Sequence, residues 1–211
     1  MNTKHIVLIG DSIFDNGGYV DEGDSVIEQL NRKLPENTKA TLLAVDGDVT
    51  EDVYAQLENL PDDTTHVFVS CGGNDALRIA SVLNKPAESV GHAMDVFTKI
   101  KNQFEVRYSR MIQAVCSKVE NVTICTVHDS VPDYTEKALT ALSIFNEVIL
   151  KEAFRVNAPV IDLRLVCNEA EDYSLVSPIE PSKHGAKKIS DQIIKVTEEH
   201  DFNFNETIVY K

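Results

Sequence analysis

The chain has 211 residues, enough for one domain with a substantial hydrophobic core, and no repeat, low-complexity tract or linker divides it. Its 34 acidic and 20 basic side chains give a formal net charge of −14 at pH 7. Nucleic acids and anionic membranes attract basic surfaces, so this balance argues against both as partners. No apolar segment is long enough to span a bilayer. The N-terminal apolar run, residues 6–9, is too short for the core of a signal peptide.

The four cysteines, Cys71, Cys116, Cys125 and Cys167, show no C-x-x-C spacing, so the sequence does not suggest a zinc site or a redox pair. Cys71 and Cys125 fall at apolar strand positions. Buried free thiols are typical of a reducing compartment. We therefore expect a cytoplasmic protein with a single domain over residues 1–211.

Apolar periodicity predicts strands that alternate with helices along the chain. In chain order these are a strand at 6–9, a helix at 24–34, a strand at 41–45, a helix capped by Thr50, a strand at 66–70, helices at 76–83 and 89–119, a strand at 122–127, a helix at 134–156, a strand at 159–163 and a helix at 182–200. Alternation of this kind is typical of a mainly parallel sheet with helices on both faces. The sequence therefore predicts an α/β fold with five strands.

The C-terminal tail follows a different pattern. Phe202, Phe204, Ile208 and Tyr210 are evenly spaced, which is the two-residue period of a strand. Residues 202–211 are interpreted either as an added strand, on the edge of this sheet or of a partner's, or as a loosely packed extension.

Three polar turns follow three successive predicted strands: Asp11-Ser12, Asp46-Gly47-Asp48, and Gly72-Gly73-Asn74-Asp75. In an open parallel sheet such turns meet at the carboxyl edge, where active sites form. Acyl transfer requires a nucleophile and hydrogen-bond donors directed at the developing oxyanion. A serine, a glycine N–H and an asparagine amide could supply these groups.

Other interpretations of these turns stay open. Ser12 could cap its turn, Gly47 could be an ordinary turn glycine, and Asn74 could cap the helix that follows. The chain has neither the phosphate-binding G-x-x-x-x-G-K-[ST] motif nor a G-x-S-x-G elbow, because Phe14 stands where the second glycine belongs.

In these three turns, and over nearly its whole length, the chain resembles the SGNH (GDSL-type) hydrolases. The resemblance includes Asn146 and Asp162. It implies a three-layer α/β/α sandwich of the SGNH (flavodoxin-like) type. It also implies a serine esterase that hydrolyses a carboxylic ester without a cofactor through an acyl-serine intermediate. The resemblance further implies that Ser12 is the nucleophile of this chain and that Gly47 and Asn74 bind the oxyanion.

The last family block, D-x-x-H followed by Pro and Ser or Asn, is altered. When the chain is aligned on Pro181-Ser182, Glu180 occupies the histidine position and Ser177 the aspartate position. An aspartate orients an imidazole but would repel a carboxylate, whereas a Ser177 hydroxyl could donate a hydrogen bond to Glu180. The sequence therefore favours Glu180 as the catalytic base.

Two histidines are alternative bases. His184 lies near the start of the last helix, and its helical phase predicts that it points to solvent. His128 follows the fourth predicted strand and therefore lies on the same edge of the sheet as the three turns.

Two other functions stay open. The chain could be a binding module that keeps the fold and has lost the base. The acidic side chains of the strand-end turns could instead hold Mg²⁺; they are Asp11, Asp15, Asp46, Asp48 and Asp75. A small acyl ester is the expected substrate, and an acetylated sugar, a short acyl ester and a lysophospholipid all stay open.

Overall fold

A computed structural model of the protein describes residues 3–204 and 206–211. Its strands form one parallel sheet in the order β2-β1-β3-β4-β5-β6. The strands are β1 (Lys4–Gly10), β2 (Thr38–Leu42), β3 (His66–Ser70), β4 (Asn121–Cys125), β5 (Val160–Ile161) and β6 (Val209–Tyr210). The predicted α/β/α architecture is confirmed. The predicted strand number is corrected from five to six, because the tail contributes β6.

Helices cover both faces of the sheet. They are α1 (Val26–Lys33), α2 (Val53–Glu58), α3 (Gly73–Ile79), α4 (Val90–Cys116), α5 (Glu136–Arg155), α6 (Leu163–Val166) and α7 (Lys183–Glu199). A 3-10 turn, Ala80–Asn84, links α3 to α4. None of the helices in the described part of the chain combines the length and apolar composition needed to cross a membrane.

Apolar side chains of β1 point alternately to the two faces of the sheet, so helices must pack on both faces. Val7 and Ile9 pack into the core formed with α2, α4 and α5. Ile6 and Leu8 pack into the core formed with α1 and α7 on the opposite face. All four side chains are fully buried. Their burial, at about 25 cal/mol per Å² of apolar surface, makes β1 the shared centre of both cores.

The prediction for β2 was wrong by about three residues, because this strand covers 38–42 rather than 41–45. Its ladder pairs Lys4 with Thr38 and ends where Leu8 pairs with Leu42. Residues 43–45 are also apolar, but they lie beyond the end of the ladder. They make isolated hydrogen bonds to β1, such as the one from the Leu43 N–H to the Leu8 carbonyl (2.8 Å).

The tail forms a strand over only part of its evenly spaced residues. Val209 and Tyr210 pair with β5, and the Asp162 N–H donates to the Tyr210 carbonyl (2.9 Å). Phe202 instead precedes the strand and packs edge-on against His200, with ring centroids 4.6 Å apart. Phe204 is exposed. The even spacing therefore did not represent one continuous strand.

Strand order reverses at β1, because the chain passes first to β2 on one side and then to β3 on the other. Crevices form at such a switch point, outside the carboxyl ends of the strands. The polar turns after β1, β2 and β3 all lie at this edge of the sheet.

Candidate active site

Ser12 lies in a tight turn directly after β1. Gly10 has φ +123°, and a side chain there would collide with the Ser70 carbonyl of β3, so the position requires glycine. The Asp11 N–H donates to that carbonyl (3.0 Å), and the Asp11 carbonyl accepts from the Phe14 N–H (3.1 Å). These contacts fix Ser12 on the wall of a cavity, where it is largely buried.

This Ser12 cavity has a volume of about 850 Å³, its open mouth included. Volumes of about 300–1,000 Å³ are usual for small-molecule sites. Its polar lining includes Asp11, Ser12, Asn74, His128 and Glu180. Most of its wall is apolar and comes from α3, the 3-10 turn, α4 and α5, including Leu77, Ile79, Leu83, Phe97, Leu142 and Phe145.

Glu180 lies on the wall of the same cavity and is 4% exposed. Burial raises the pKa of its carboxyl to about 7; a hydrogen-bonding interaction with the Ser12 hydroxyl lowers this pKa, and the Asp46 carboxylate raises it. The two side chains are not aligned in a standard hydrogen bond, which is common in catalytic sites without substrate. Among the described residues, none donates to the buried Glu180 Oε2. The predicted hydrogen bond from the Ser177 hydroxyl to Glu180 is absent from the described residues, where the two are joined instead by the Glu180 N–H donating to the Ser177 carbonyl (3.1 Å).

Backbone contacts hold the segment that carries Glu180. The Asn16 amide donates to the Pro181 carbonyl (3.0 Å) and its oxygen accepts from the Val26 N–H (2.9 Å). The His128 ring donates a hydrogen bond from Nε2 to the Ile179 carbonyl (3.0 Å). The segment is thereby tied to the Ser12 turn, to α1 and to the loop after β4.

Three groups could bind an oxyanion. The Asn74 side-chain amide lies on the cavity wall and uses one hydrogen on the Asp48 carbonyl (2.9 Å), which leaves the other free. Within residues 3–204 and 206–211, the Ser12 and Gly47 N–H groups have no acceptor. Gly47, with φ +85°, lies on the exposed rim rather than in the cavity wall. Its role in binding an oxyanion stays a prediction.

Asp75 connects two of the strand-end turns. Its Oδ2 accepts from both the Thr50 N–H (3.0 Å) and the Thr50 hydroxyl (2.9 Å), and Arg107 Nη2 of α4 lies 3.6 Å from its Oδ1. Thr50 is therefore not the predicted helix cap, since α2 begins after Asp52. The bonds instead hold the turn after β2 against the start of α3.

The structure separates the two candidate histidines. His184 is exposed on the first turn of α7 and does not line the cavity, so the structure does not bring it together with Ser12. His128 lines the cavity and is buried, and burial lowers its pKa to about 4. Its ring packs edge-on against Tyr173, with centroids 4.9 Å apart. Of the three candidate bases, Glu180 is the one whose pKa the Ser12 hydroxyl affects.

The acidic side chains do not assemble a cation site. In the described part of the chain, no three histidine, cysteine or acidic side chains are placed to hold a metal ion. Several have local donors instead: Asp15 accepts from the Asp46 N–H (2.9 Å), Asp46 from the Tyr19 hydroxyl (2.6 Å) and Asp48 from the Gln56 amide (2.8 Å).

Sequence reasoning missed two buried amides that position the site. Gln56 bonds both the N–H and the carbonyl of Gly10 (2.8 Å each). Its place on the inner face of α2, three residues after Val53, was a usable signal, because a buried amide needs a specific partner. Asn16 gave no comparable signal. Asn146, part of the family resemblance, bonds both backbone groups of Val127 (2.8 Å each) and so shapes the cavity wall from α5.

A parallel α/β/α sandwich with a serine, an asparagine and an acidic residue gathered beyond its central strands defines a hydrolase fold of the SGNH type. The chain belongs to the GDSL-like lipase/acylhydrolase family, whose sequence model matches residues 8–188. It is thus by class a GDSL-type carboxylic ester hydrolase, with Glu-Pro-Ser in its last block. No curated protein matches the chain by sequence.

Solved structures share this fold at low identity. A lipase from a goat rumen metagenome is 21% identical with a TM-score of 0.72, over 95% of this chain and 100% of that one. A lipolytic G-D-S-L family member from Veillonella parvula is 21% identical with a TM-score of 0.68, over 93% and 100%. An acetyl xylan esterase from Geobacillus stearothermophilus is 16% identical with a TM-score of 0.68, over 95% and 97%.

Proposed function

We propose that the protein hydrolyses carboxylic esters through an acyl-Ser12 intermediate, with Glu180 as the general base. The observation that supports this is the meeting of Ser12 and Glu180 on the wall of one cavity, where burial raises the pKa of Glu180 to about 7. A base is most effective when its pKa lies near the working pH. An exposed glutamate, with a pKa of about 4.3, would be a weak base for a serine hydroxyl.

In the acylation step Ser12 Oγ attacks the ester carbonyl carbon while its proton passes to Glu180. The resulting oxyanion is bound by the Asn74 amide and the Ser12 and Gly47 N–H groups. As the carbon–oxygen bond to the leaving group breaks, Glu180 returns that proton to the departing alkoxide, which leaves as an alcohol. Water then attacks the acyl-enzyme, again losing its proton to Glu180, and the acid product leaves as Ser12 recovers its proton.

The acyl group that this cavity favours is an aliphatic chain. The apolar wall next to Ser12, which includes Leu77, Leu83, Phe97 and Leu142, offers burial to methylene groups at about 0.8 kcal/mol each. Because it offers few hydrogen-bonding groups, it suits a sugar poorly. We infer a preference for acyl chains of several carbons over acetyl.

Ser12→Ala tests the mechanism on p-nitrophenyl esters of increasing acyl length. The wild type should show kcat/KM that rises from the acetyl ester to longer esters, and Ser12→Ala should lose activity by orders of magnitude with an unchanged melting temperature. Asn74→Ala should lower kcat about 10²–10³-fold, the usual effect of removing an oxyanion donor. Equal activity in the wild type and Ser12→Ala would overturn the proposal. A wild type that binds acyl ligands without turnover would be a binding module.

A further inference from the structure

Asp11, the residue before the nucleophile, carries a buried carboxyl group that the mechanism above leaves unused. It is 3% exposed and lines the Ser12 cavity. Its Oδ1 accepts one hydrogen bond, from the Ile13 N–H (3.2 Å). Among the described residues, neither a lysine nor an arginine pairs with it, and its Oδ2 has no hydrogen-bond partner. Burying an ionised carboxylate with so little compensation is costly, so the neutral acid is the favoured form.

Three other carboxyl groups act on Asp11. Burial is the largest factor that raises its pKa, and the carboxylates of Glu180, Asp75 and Asp46 raise it further; the Ile13 N–H alone opposes them. Together these hold the pKa of Asp11 well above its usual value.

Other titratable groups near Asp11 do not offset the negative charge of these carboxylates. The thiols of Cys71 and Cys125 and the phenol of Tyr108 are buried near it, and burial raises the pKa of each. His128, on the same cavity, stays neutral near pH 7 because burial lowers its pKa to about 4. Arg107 pairs with Asp75 instead, with 3.6 Å between Arg107 Nη2 and Asp75 Oδ1.

We propose that Asp11 is a second catalytic carboxyl group, which stays protonated and donates a hydrogen bond from Oδ2 to the oxygen of the reacting ester carbonyl beside Ser12. This inference rests on the proposed acyl-Ser12 reaction. Two observations place the donor: Oδ1 is occupied by the Ile13 N–H, and Oδ2 faces the start of α3, where it would lie 3.8 Å from a side chain built on Gly73. A neutral carboxylic acid in an apolar site can serve as such a donor at pH 7.

The two buried carboxyl groups then have opposite tasks. Glu180 receives a proton and must be ionised, whereas Asp11 donates a hydrogen bond and must be neutral. The pair holds one proton in its active form, and each group opposes ionisation of the other. Activity should therefore rise with pH as Glu180 ionises and fall at higher pH as Asp11 ionises.

The test compares Asp11→Asn, Asp11→Ala and the control Asp15→Asn. Asparagine keeps the shape and an N–H donor but does not titrate, so Asp11→Asn should keep kcat within about tenfold and lose the high-pH fall of kcat/KM. Asp11→Ala should lower kcat about 10²-fold, as expected for a lost oxyanion donor. Asp15→Asn makes the same change in the same turn and should keep the bell-shaped profile.

A second measurement does not depend on activity or on a variant that folds. In the wild type labelled with ¹³C at the aspartate carboxyl carbon, one resonance should keep the chemical shift of a neutral acid at pH 7. Absence of that resonance would overturn the proposal. So would an Asp11→Asn variant that is folded and as inactive as Asp11→Ala, or one that keeps the high-pH fall. An active Ser12→Ala would instead contradict the acyl-serine reaction itself and leave the aspartate resonance unaffected.

Discussion

At the scale of single residues, the environment of Glu180 decides whether a carboxylate can replace an imidazole. Its ordinary pKa would leave it almost fully ionised and weakly basic at neutral pH. Burial on the cavity wall raises the pKa to about 7, which is close to that of a histidine. A glutamate in place of a histidine is normally the weaker base, and desolvation of Glu180 restores its base strength.

Glu180→Gln should lower kcat by about 10²–10⁴-fold, because an amide of equal size cannot accept the serine proton. His184→Gln is the matched control and should leave kcat unchanged, since His184 is exposed outside the cavity. Steady-state kinetics with purified variants measures both. An inactive His184→Gln beside an active Glu180→Gln would reverse the assignment.

The low-pH limb of the wild-type kcat/KM profile separates a carboxylate from an imidazole, even though both titrate near 7. Ionisation of a neutral carboxylic acid creates charge, so an organic cosolvent raises its apparent pKa. Loss of a proton from an imidazolium creates no new charge and responds little. The limb should therefore move to higher pH in the cosolvent.

Sequence reasoning singled out Ser12, Asn74 and Glu180 from the motif order and the Pro181-Ser182 alignment, and all three line one cavity. It could not find the raised pKa of Asp11, because that shift depends first on burial in the folded chain and then on three carboxylates brought together from other loops. The expected Ser177 hydrogen bond was wrong for the same reason. Spacing along the chain gives position, and burial and long-range neighbours determine charge and contact.

At the scale of elements, the pairing of β6 with β5 predicts that the tail contributes to stability. Tyr210 is 6% exposed and its hydroxyl lies 3.2 Å from His200 Nδ1, whereas its neighbour Val209 is 46% exposed. Tyr210→Ala should lower the free energy of unfolding by about 3 kcal/mol, as for other buried aromatic residues. Val209→Ala, on the same strand, should change it by no more than about 0.5 kcal/mol.

Chemical denaturation measures this difference directly. Equal and negligible effects of the two substitutions would show that the tail does not dock on β5 in solution. A change in elution volume on gel filtration, seen for Tyr210→Ala alone, would point to pairing with a partner's sheet.

Elements with strong periodicity were predictable, and short ones were not. The long helices α4 and α5 were found within a few residues of their ends because their apolar faces repeat over many turns. The four-residue helix α6 was missed, since the predicted strand at 159–163 ran through Asp162, which follows β5 and caps α6. In such short stretches the bonds to neighbouring elements outweigh local preference.

At the scale of the whole molecule, buried titratable groups should limit stability on both sides of neutral pH. Glu180 has a pKa of about 7 in the fold against an ordinary value of 4.5. Its contribution to stability is therefore present at low pH and is lost as the pH rises from 4.5 to 7. His66 and His128 have pKa values of about 4 because of burial. Their contribution is present above pH 6.5 and is lost as the pH falls towards 4.

Glu180→Gln should consequently stabilise the protein at pH 8, by up to about 3 kcal/mol, and have little effect at pH 4. The exposed Glu171, in the segment before Glu180, provides the control, and Glu171→Gln should change stability at neither pH. Urea denaturation at the two pH values measures the effect. A Glu180→Gln variant with the same stability as the wild type at pH 8 would contradict a buried Glu180 carboxyl with a raised pKa.

The overall architecture was predictable because apolar strands and amphipathic helices alternate from end to end. The position of the polar turns at one edge follows from that alternation, because parallel strands all end at the same edge of the sheet. The cavity was not predictable, since its wall joins side chains from α3, α4 and α5 that are far apart in the sequence.

The Ser12 cavity draws most of its apolar wall from helices on one face of the sheet, whereas Glu180 is carried by the segment that leads into α7 on the other. For protein engineering this makes two independent libraries. Substitutions at Leu83, Phe97 or Ala141 can be screened for altered chain-length preference without disturbing the proton transfer. Substitutions at Ser177 and Glu180 can be screened for a new base, histidine included, with the same substrate throughout, while Ile179 between them is kept because it lines the cavity.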